Sequence, residues 1–344
     1  MKSVHKLLFT NSKNLGDIES ESTQLIVTSP PYPMIEMWDE LFAEQNSLIK
    51  EKLIQGDSQV AFELMHCELD AVWTECYRIL QDGGFICINI GDATRNINKE
   101  FQLFSNHARI LKKLIESGFQ ILPEILWRKQ TNAPNKFMGS GMLPAGAYVT
   151  LEHEYVLIAR KGSKRQFKTD KDKALRQQSA YFWEERNIWF SDIWDFKGVN
   201  QRLRNDNLRE KSAAFPFELA YRLINMYSTK QDTVVDPFVG TGTTILAGMI
   251  SERNTIGIEI SDTFKELITE RLLTGKDDLN SLIVQRIEQH NDFIQKRKQN
   301  EKEIKYTNLN HNFPVVTKQE EKIILNKIKS IENVAENEFH VFYE

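Results

Sequence analysis

The chain has 344 residues, of which 41% are hydrophobic and 27% are charged, a composition typical of a globular protein. Its formal net charge of −4 excludes a uniformly basic nucleic-acid-binding protein, although a local basic patch can still attract DNA. Its three cysteines, Cys67, Cys76 and Cys87, form no C-x-x-C pair, so neither a zinc site nor a disulfide framework is predicted, and no other metal site is expected.

No apolar run approaches the length of a membrane span. The first residues, MKSVHKLLFTNSKN, lack the apolar core of a signal peptide. We therefore expect a cytoplasmic protein that has no contact with a membrane.

In chain order, KLLFT and QLIVTS are predicted to be short strands, and residues 33–58 to be irregular or helical. The apolar spacing predicts a helix over residues 61–80, and GFICINIGD is a buried strand that runs to Asp92. A helix follows at about 101–117. FQILPEILWRK and EHEYVLIARKG are two further strands, separated by a loop rich in Gly, Pro and Asn.

The composition changes over residues 161–211, where thirteen basic residues outnumber eight acidic ones and where Tyr181, Phe182, Trp183, Trp189 and Trp194 occur. After this segment, TVVD and TIGIEI are predicted strands between helices, and the chain beyond about residue 275 is charged and mostly helical. Strands alternating with helices predict an α/β fold with a largely parallel sheet. We divide the chain into four stretches, 1–160, 161–211, 212–275 and 276–344.

Residues 27–39 read VTSPPYPMIEMWD, so two prolines and a tyrosine directly follow an apolar strand. Proline cannot extend a central strand, and it restricts the residue before it to an extended conformation. The strand is therefore expected to end at Thr28, with Ser29 and Tyr32 displayed on a stiff segment.

A second motif, TVVDPFVGTGTTILAGMI, spans residues 233–250. Its strand ends at Asp236, and Gly240 and Gly242 allow a tight turn before the next helix. Glu259 ends the following strand, where a carboxylate can accept hydrogen bonds from ribose hydroxyls. This pattern predicts a cofactor that contains a nucleoside, while the absence of G-x-x-x-x-G-K-[ST] argues against a triphosphate-binding P-loop.

The two motifs together resemble the amino-group DNA methyltransferases that use S-adenosylmethionine, over roughly residues 5–275. The S-P-P-Y form is typical of the N4-cytosine type, and a catalytic motif that precedes the cofactor motif is the permuted order of the β group. The resemblance implies a Rossmann-like fold with a mixed, mostly parallel sheet and helices on both faces. It also implies a flipped cytosine in a specific double-stranded DNA sequence as substrate.

For the cofactor, the resemblance implies a site near the Gly-rich turn, with the F-P-x-x-L helix at its methionine end and Asn11 near its adenine. The implied cofactor residues are Asn11, Phe215, Pro216, Asp236, Pro237, Phe238, Gly240, Gly242, Thr243, Thr244 and Glu259.

The predicted catalytic segment consists of Ser29, Pro30, Pro31 and Tyr32. Ser29 Oγ and the Pro30 carbonyl can each accept one N–H of the exocyclic amino group, while the Tyr32 ring stacks on a base taken out of the duplex. Asp92, protonated through burial, is expected to donate to the ring edge of cytosine.

Asn89 is a second candidate for the Asp92 role, and an Asp92 that only caps a turn is an equal alternative. We interpret His153 and Glu154 as structural residues. The expected DNA contacts come from the basic segment 161–211, supplemented by the C-terminal stretch unless that stretch is only a solvated appendage, and residues 33–58 are expected to close over the flipped base. The contact residues named are Lys164, Arg165, Arg202 and Arg204.

The sequence therefore predicts an N4-cytosine-specific DNA methyltransferase of a restriction–modification system, with a possible cognate endonuclease. N6-adenine methylation by the same machinery is the first alternative. The second is a nucleic-acid-binding protein that has kept the fold but lost catalysis. The sequence does not distinguish a monomer from a dimer.

Overall fold

The computed structural model describes residues 1–129, 138–197 and 215–344. The strands in these ranges are β1 (Lys2–Phe9), β2 (Thr23–Thr28), β3 (Leu80–Ile90), β4 (Ala93–Ile97), β5 (Glu100–Phe104), β6 (Phe119–Ile121), β7 (Ile125–Arg128), β8 (Met138–Gly139), β9 (Ala147–Tyr148), β10 (His153–Lys161), β11 (Ile193–Trp194), β12 (Thr233–Asp236), β13 (Asn254–Glu259), β14 (Tyr306–Thr307), β15 (Pro314–Val315), β16 (Ile328–Ala335) and β17 (Glu338–Tyr343). The α-helices are α1 (Asp39–Gln45), α2 (Ser47–Gln55), α3 (Ser58–Ile79), α4 (Asn106–Glu116), α5 (Asp170–Gln178), α6 (Trp183–Trp189), α7 (Phe217–Tyr227), α8 (Thr243–Ile250), α9 (Lys265–Thr274) and α10 (Lys276–Gln299). None of these helices combines the length and hydropathy of a membrane span.

A large mixed sheet organises the described ranges, with the strand order β11, β7, β10, β3, β2, β12, β13, β1, β17 and β16, and with β6 paired to β10. The five central strands β3, β2, β12, β13 and β1 run parallel to one another. β10 is antiparallel to β3, and β17 is antiparallel to β1. The five parallel strands therefore end at one edge of the sheet, here called the carboxyl edge, and β10 begins at that edge. The opposite edge is called the amino edge.

Helices cover both faces of this sheet, because alternate residues of a strand point to opposite faces. In β2, Leu25 and Val27 belong to the core under α7, α8 and α10, whereas Ile26 belongs to the core under α3 and α4. All three side chains are fully buried. The predicted α/β fold, with a mixed, mostly parallel sheet and helices on both faces, is confirmed.

Residues 33–58 contain α1 and α2, in agreement with the helical alternative for this stretch. Two other local predictions differ from the structure. The helix expected from residue 101 begins at Asn106, because residues 100–104 form a hairpin with β4. The strand expected at FQILPEILWRK is divided into β6 and β7 around Pro123, since proline lacks the N–H that a central strand needs.

The C-terminal stretch is helical only as far as Gln299, so the prediction of a helical extension is wrong beyond that residue. β16 and β17 instead form a hairpin that extends the sheet through antiparallel pairing of β17 with β1. Phe339, Val341 and Tyr343 of β17 alternate with more exposed residues and enter the core. The high charge of the stretch hid this period-two pattern, which is the signal of a strand with one buried face.

Candidate active site

A cavity of about 490 Å³ opens at the carboxyl edge, between the ends of β1, β2, β12 and β13. Its volume lies within the range of roughly 300–1,000 Å³ that is usual for small-molecule sites. Ten of the residues expected from the sequence line it: Asn11, Ser29, Pro30, Pro31, Phe215, Pro237, Phe238, Gly240, Thr243 and Glu259. The structure therefore brings the two sequence motifs to one cavity, as the strand order requires.

Asp236 lies behind the cavity wall and is buried. Its carboxylate accepts hydrogen bonds from Thr28 Oγ1 at 2.6 Å and from the Phe238 amide at 3.0 Å. Thr244 Oγ1 donates to its second oxygen at 2.6 Å. Burial raises the pKa of Asp236 to about 6. Asp236 and Thr244 therefore fix the end of β2 against the Gly-rich turn and do not themselves line the cavity.

The Gly-rich turn depends on two glycines with positive φ angles, +50° at Gly240 and +83° at Gly242. A Cβ atom at Gly242 would also lie 3.0 Å from Ile268 Cγ2. Such backbone angles are strained in residues with a side chain. The turn leads into α8 at Thr243, which lines the cavity. The Thr243 hydroxyl oxygen is buried and has no hydrogen-bond partner among the described residues.

Glu259 lies on the cavity wall at the end of β13. One carboxylate oxygen accepts the Gly240 N–H at 3.0 Å, and the other accepts the Ser261 N–H at 3.0 Å. Burial raises the pKa of Glu259. Because each carboxylate oxygen has two acceptor sites, the carboxylate retains capacity for a further donor. This arrangement suits a ligand that carries two neighbouring hydroxyls, as a ribose does.

The segment after the S-P-P-Y motif forms a second wall of the cavity. Met37, Trp38 and Leu41 line this wall. Asp39 at the start of α1 accepts two hydrogen bonds from the Arg95 guanidinium, at 2.8 and 2.5 Å. The segment therefore forms part of the cavity wall, and closure of the segment over the base stays a prediction.

Ser29 belongs to a hydrogen-bonded network of side chains on the β3 and β10 side of the cavity. Ser29 Oγ donates to the Tyr32 hydroxyl oxygen at 3.1 Å, and the Tyr32 hydroxyl donates to Glu154 Oε2 at 2.9 Å. Asn89 Nδ2 donates to the Tyr32 oxygen at 2.8 Å and to Glu154 Oε2 at 2.7 Å. Lys129 Nζ donates to Glu154 Oε1 at 2.9 Å. We call these five residues the base-side network.

Tyr32 is held tightly within the base-side network. A Cβ atom on Gly91 would lie 3.0 Å from Tyr32 Cε2, so any larger residue at this position would require the ring to shift. Burial, together with the Glu154 carboxylate, raises the pKa of Tyr32 well above its usual value. The Tyr32 hydroxyl therefore stays protonated near neutral pH. Unlike Ser29, Tyr32 does not line the cofactor cavity.

Asp92 does not join this network. Both of its carboxylate oxygens lie 2.8 Å from His107 Nδ1, and one accepts the His107 backbone N–H at 3.1 Å. The His107 ring in turn stacks on Tyr155. Asp92 is therefore engaged at the start of α4, as in the alternative of a capping aspartate, and its side chain is not free for the ring edge of the base. Asn89, the second candidate for this role, is instead a member of the network.

Lys164 and Arg165, two of the expected DNA contacts, lie at the edge of the sheet opposite to the cavity. Arg165 forms a paired ion contact with Asp232, at 2.6 and 2.8 Å, just before β12 begins. Because β10 is antiparallel to β3, the chain leaves β10 at the amino edge, far from the cavity. Arg202 and Arg204 lie outside the described residues.

Two members of the base-side network are not predicted by the sequence. Lys129 follows β7 and stands in no motif, and Glu154 is interpreted from the sequence as structural. The available signal is a histidine–glutamate pair at the start of an apolar strand. That signal indicates an active-site residue only when the strand is known to begin at the carboxyl edge, which depends on its antiparallel pairing.

The family model for DNA methylases, which covers N6 and N4 methyltransferases, matches residues 23–270. The chain belongs to this DNA methylase family. The resemblance stated from the two motifs is therefore confirmed, and the matched range contains the Gly-rich wall of the cavity and all five members of the base-side network.

Individual relatives agree with this family. The chain is 51% identical over 346 residues to the Type II methyltransferase M.MthZI of Methanothermobacter thermautotrophicus, covering 100% of this chain and 96% of the relative. It is 48% identical over 279 residues to the Type II methyltransferase M.MjaI of Methanocaldococcus jannaschii, covering 78% of this chain and 91% of the relative. Among solved structures, the putative DNA modification methylase TTHA0409 of Thermus thermophilus, complexed with S-adenosyl-L-methionine, is similar with a TM-score of 0.61 and 30% identity, covering 78% and 92% of the two chains.

Proposed function

We propose that this chain is a site-specific DNA methyltransferase that transfers a methyl group to N4 of a cytosine flipped out of double-stranded DNA. The observation that carries the proposal is the orientation of Ser29. Its hydroxyl lies at the cavity wall and donates its hydrogen to Tyr32. The Ser29 oxygen therefore keeps its lone pairs for an N–H of the exocyclic amino group.

The cofactor is S-adenosylmethionine, which supplies an activated methyl group when it is bound. Glu259 would accept its ribose hydroxyls, and the Gly240–Gly242 turn would let the backbone approach it closely. Asn11 and Phe215 both line the same cavity. The bound form of TTHA0409 supports this assignment, as does the free acceptor capacity of Glu259.

The residues of the chain would orient the amino group. Ser29 and the Pro30 carbonyl would accept its two N–H groups, because the two prolines hold both oxygens on a rigid strand end. The neutral serine at the first position of the motif favours cytosine N4 over adenine N6. N6-adenine methylation remains the alternative, which the experiment must distinguish from N4-cytosine methylation.

DNA would approach the carboxyl edge. β11 pairs in parallel with β7 and ends at Trp194, and Phe215 lines the cavity. The stretch between these residues contains Arg202 and Arg204, which we propose as contacts to the duplex. The Type II relatives support a role beside a restriction endonuclease.

The test is to incubate the purified protein with S-adenosylmethionine and double-stranded DNA, digest the DNA to nucleosides and identify them by mass spectrometry. N4-methylcytosine supports the proposal. N6-methyladenine alone would move the assignment to the other member of the family. Unmodified nucleosides, in a protein shown to bind S-adenosylmethionine, would favour the inactive DNA-binding alternative.

A further inference from the structure

Within the base-side network, hydrogen bonds run in one direction from the cavity to Glu154. A carboxylate can only accept hydrogen bonds, so the Tyr32 hydroxyl must give its hydrogen to Glu154 Oε2, 2.9 Å away. The Tyr32 oxygen is then an acceptor, and Ser29 Oγ donates to it at 3.1 Å. Ser29 is the member of this chain of hydrogen bonds that lines the cavity. Ser29, Tyr32 and Glu154 thus form a continuous path for a proton.

We propose that this path is a proton relay for methyl transfer, with Glu154 as its terminus. The inference rests on the proposed function, because it needs an amino group at Ser29. As the N–C bond forms and the C–S bond breaks, the amino nitrogen gives one proton to Ser29 Oγ. The Ser29 hydrogen moves to the Tyr32 oxygen, and the Tyr32 hydrogen moves to Glu154 Oε2. Glu154 becomes neutral, and the sulfur leaves as a thioether.

The surroundings of Glu154 fit a terminal acceptor. Lys129 Nζ holds its other oxygen, Oε1, at 2.9 Å, so Oε2 is the oxygen directed at Tyr32 and Asn89. The Lys129 side chain is half exposed, whereas that of Glu154 is nearly buried. The Glu154 carboxyl group itself keeps a small exposed fraction beside Lys129, through which the proton can return to water after each turnover.

Tyr32 fits an intermediate position and not a terminal one. Its raised pKa keeps it a neutral phenol, and a neutral hydroxyl passes a proton on only if it gives up its own. Glu154 is then a positioning and accepting residue that acts on the base through Tyr32 and Ser29.

The test uses two conservative variants and measures single-turnover methyl transfer on the wild-type DNA substrate. Tyr32→Phe keeps the ring for stacking but removes the relay hydroxyl. Glu154→Gln keeps an oxygen that can accept from Tyr32 but cannot take up a proton. Because general acid–base groups contribute roughly 10²–10⁴-fold to a rate, we expect each variant to be slower by on the order of a hundredfold, with unchanged affinities for S-adenosylmethionine and DNA.

The double variant should be no slower than either single variant, because both changes interrupt one path. Matched controls are Tyr148→Phe and Glu152→Gln, two exposed residues outside the network, which should keep the wild-type rate. A wild-type rate in Tyr32→Phe would overturn the relay, as would independent, multiplying losses in the double variant. If Glu154→Gln does not fold, Tyr32→Phe carries the test alone, and the slowing of the wild-type enzyme in D₂O should then disappear in it.

Failure of the relay and failure of the proposed function remain distinguishable. The product nucleoside identifies the base, whereas the two variants test the path of the proton. If the wild-type product is N6-methyladenine, the same rate comparison still applies, because either amino group must release one proton.

Discussion

The two sides of the active-site cavity are built in different ways. On the cofactor side, Asp236 and Glu259 accept mainly backbone N–H and threonine O–H groups, which fixes a turn against a strand. On the base side, Tyr32, Asn89 and Glu154 bond to one another through side chains. We therefore expect the first side to set the affinity for the cofactor and the second side to set the rate of methyl transfer.

The largest expected effect lies on the base side. Ser29→Ala removes an acceptor for the amino group, so single-turnover transfer should fall by on the order of a hundredfold. The affinity for S-adenosylmethionine, measured by calorimetry, should remain that of the wild type. Ser163→Ala, an exposed serine at the amino edge, is the control. A loss of cofactor affinity in Ser29→Ala would contradict the separation of the two sides.

The converse change on the cofactor side is Glu259→Ala, which leaves the ribose hydroxyls without their acceptor. A hydrogen bond to a charged group contributes roughly 1.5–3 kcal/mol, so the dissociation constant for S-adenosylmethionine should rise about tenfold to a hundredfold. Calorimetry on the folded variant measures this. Glu266→Ala, at an exposed glutamate of α9, should bind normally. Unchanged affinity in Glu259→Ala would remove Glu259 from the site.

A smaller effect is expected from the two pairs of basic residues. Changing Arg202 and Arg204 to Gln should weaken DNA binding and flatten its dependence on salt, by about 0.9 in slope for each phosphate that is no longer neutralised. Changing Lys164 and Arg165 to Gln removes the same charge at the amino edge and should leave DNA binding intact. Substitution of Lys164 and Arg165 should instead lower the melting temperature of the protein, because the ion pair between Arg165 and Asp232 is lost. Titrations at several salt concentrations separate the two results, and equal losses would mean that DNA also contacts the amino edge.

The smallest expected effect tests the geometry of the base side. Gly91→Ala places a methyl group about 3.0 Å from the Tyr32 ring, so the ring must shift by a few tenths of an ångström. Because misplacement by about 1 Å can cost a hundredfold in rate, we expect a severalfold slower transfer with unchanged cofactor affinity and a nearly unchanged melting temperature. A wild-type rate would show that the position of Tyr32 does not limit transfer.

The same comparison explains how much could be predicted from the sequence. The cofactor side comes from one strand–turn–helix unit and the next strand, so Asp236, Gly240 and Glu259 stand in a local pattern that has a known geometry. Of the base side, only Ser29 and Tyr32 share a motif. Glu154 and Lys129 reach the site through antiparallel pairing of β10 with β3 and β7, which no local pattern reveals.

The same cause explains the expected site residues that the structure does not bring to the cavity. Asp92 lies shortly after a strand that ends at the carboxyl edge, so its place in the sequence suggests a position in the base site. Its carboxylate instead accepts the His107 backbone N–H at the start of α4. Lys164 and Arg165 belong to a segment whose basic composition can be read directly from the sequence. The direction of β10 decides at which edge that segment begins, and direction is a property of the whole sheet.

The most direct test of the central claim is a sequence-resolved map of modified bases in a host that lacks its own DNA methylation, expressing either the wild-type chain or the Ser29→Ala variant. We predict N4-methylcytosine at one recurring DNA sequence with the wild-type chain, and its near absence with the variant when both proteins are folded and bind S-adenosylmethionine. N6-methyladenine in place of N4-methylcytosine, or full modification by Ser29→Ala, would contradict that claim.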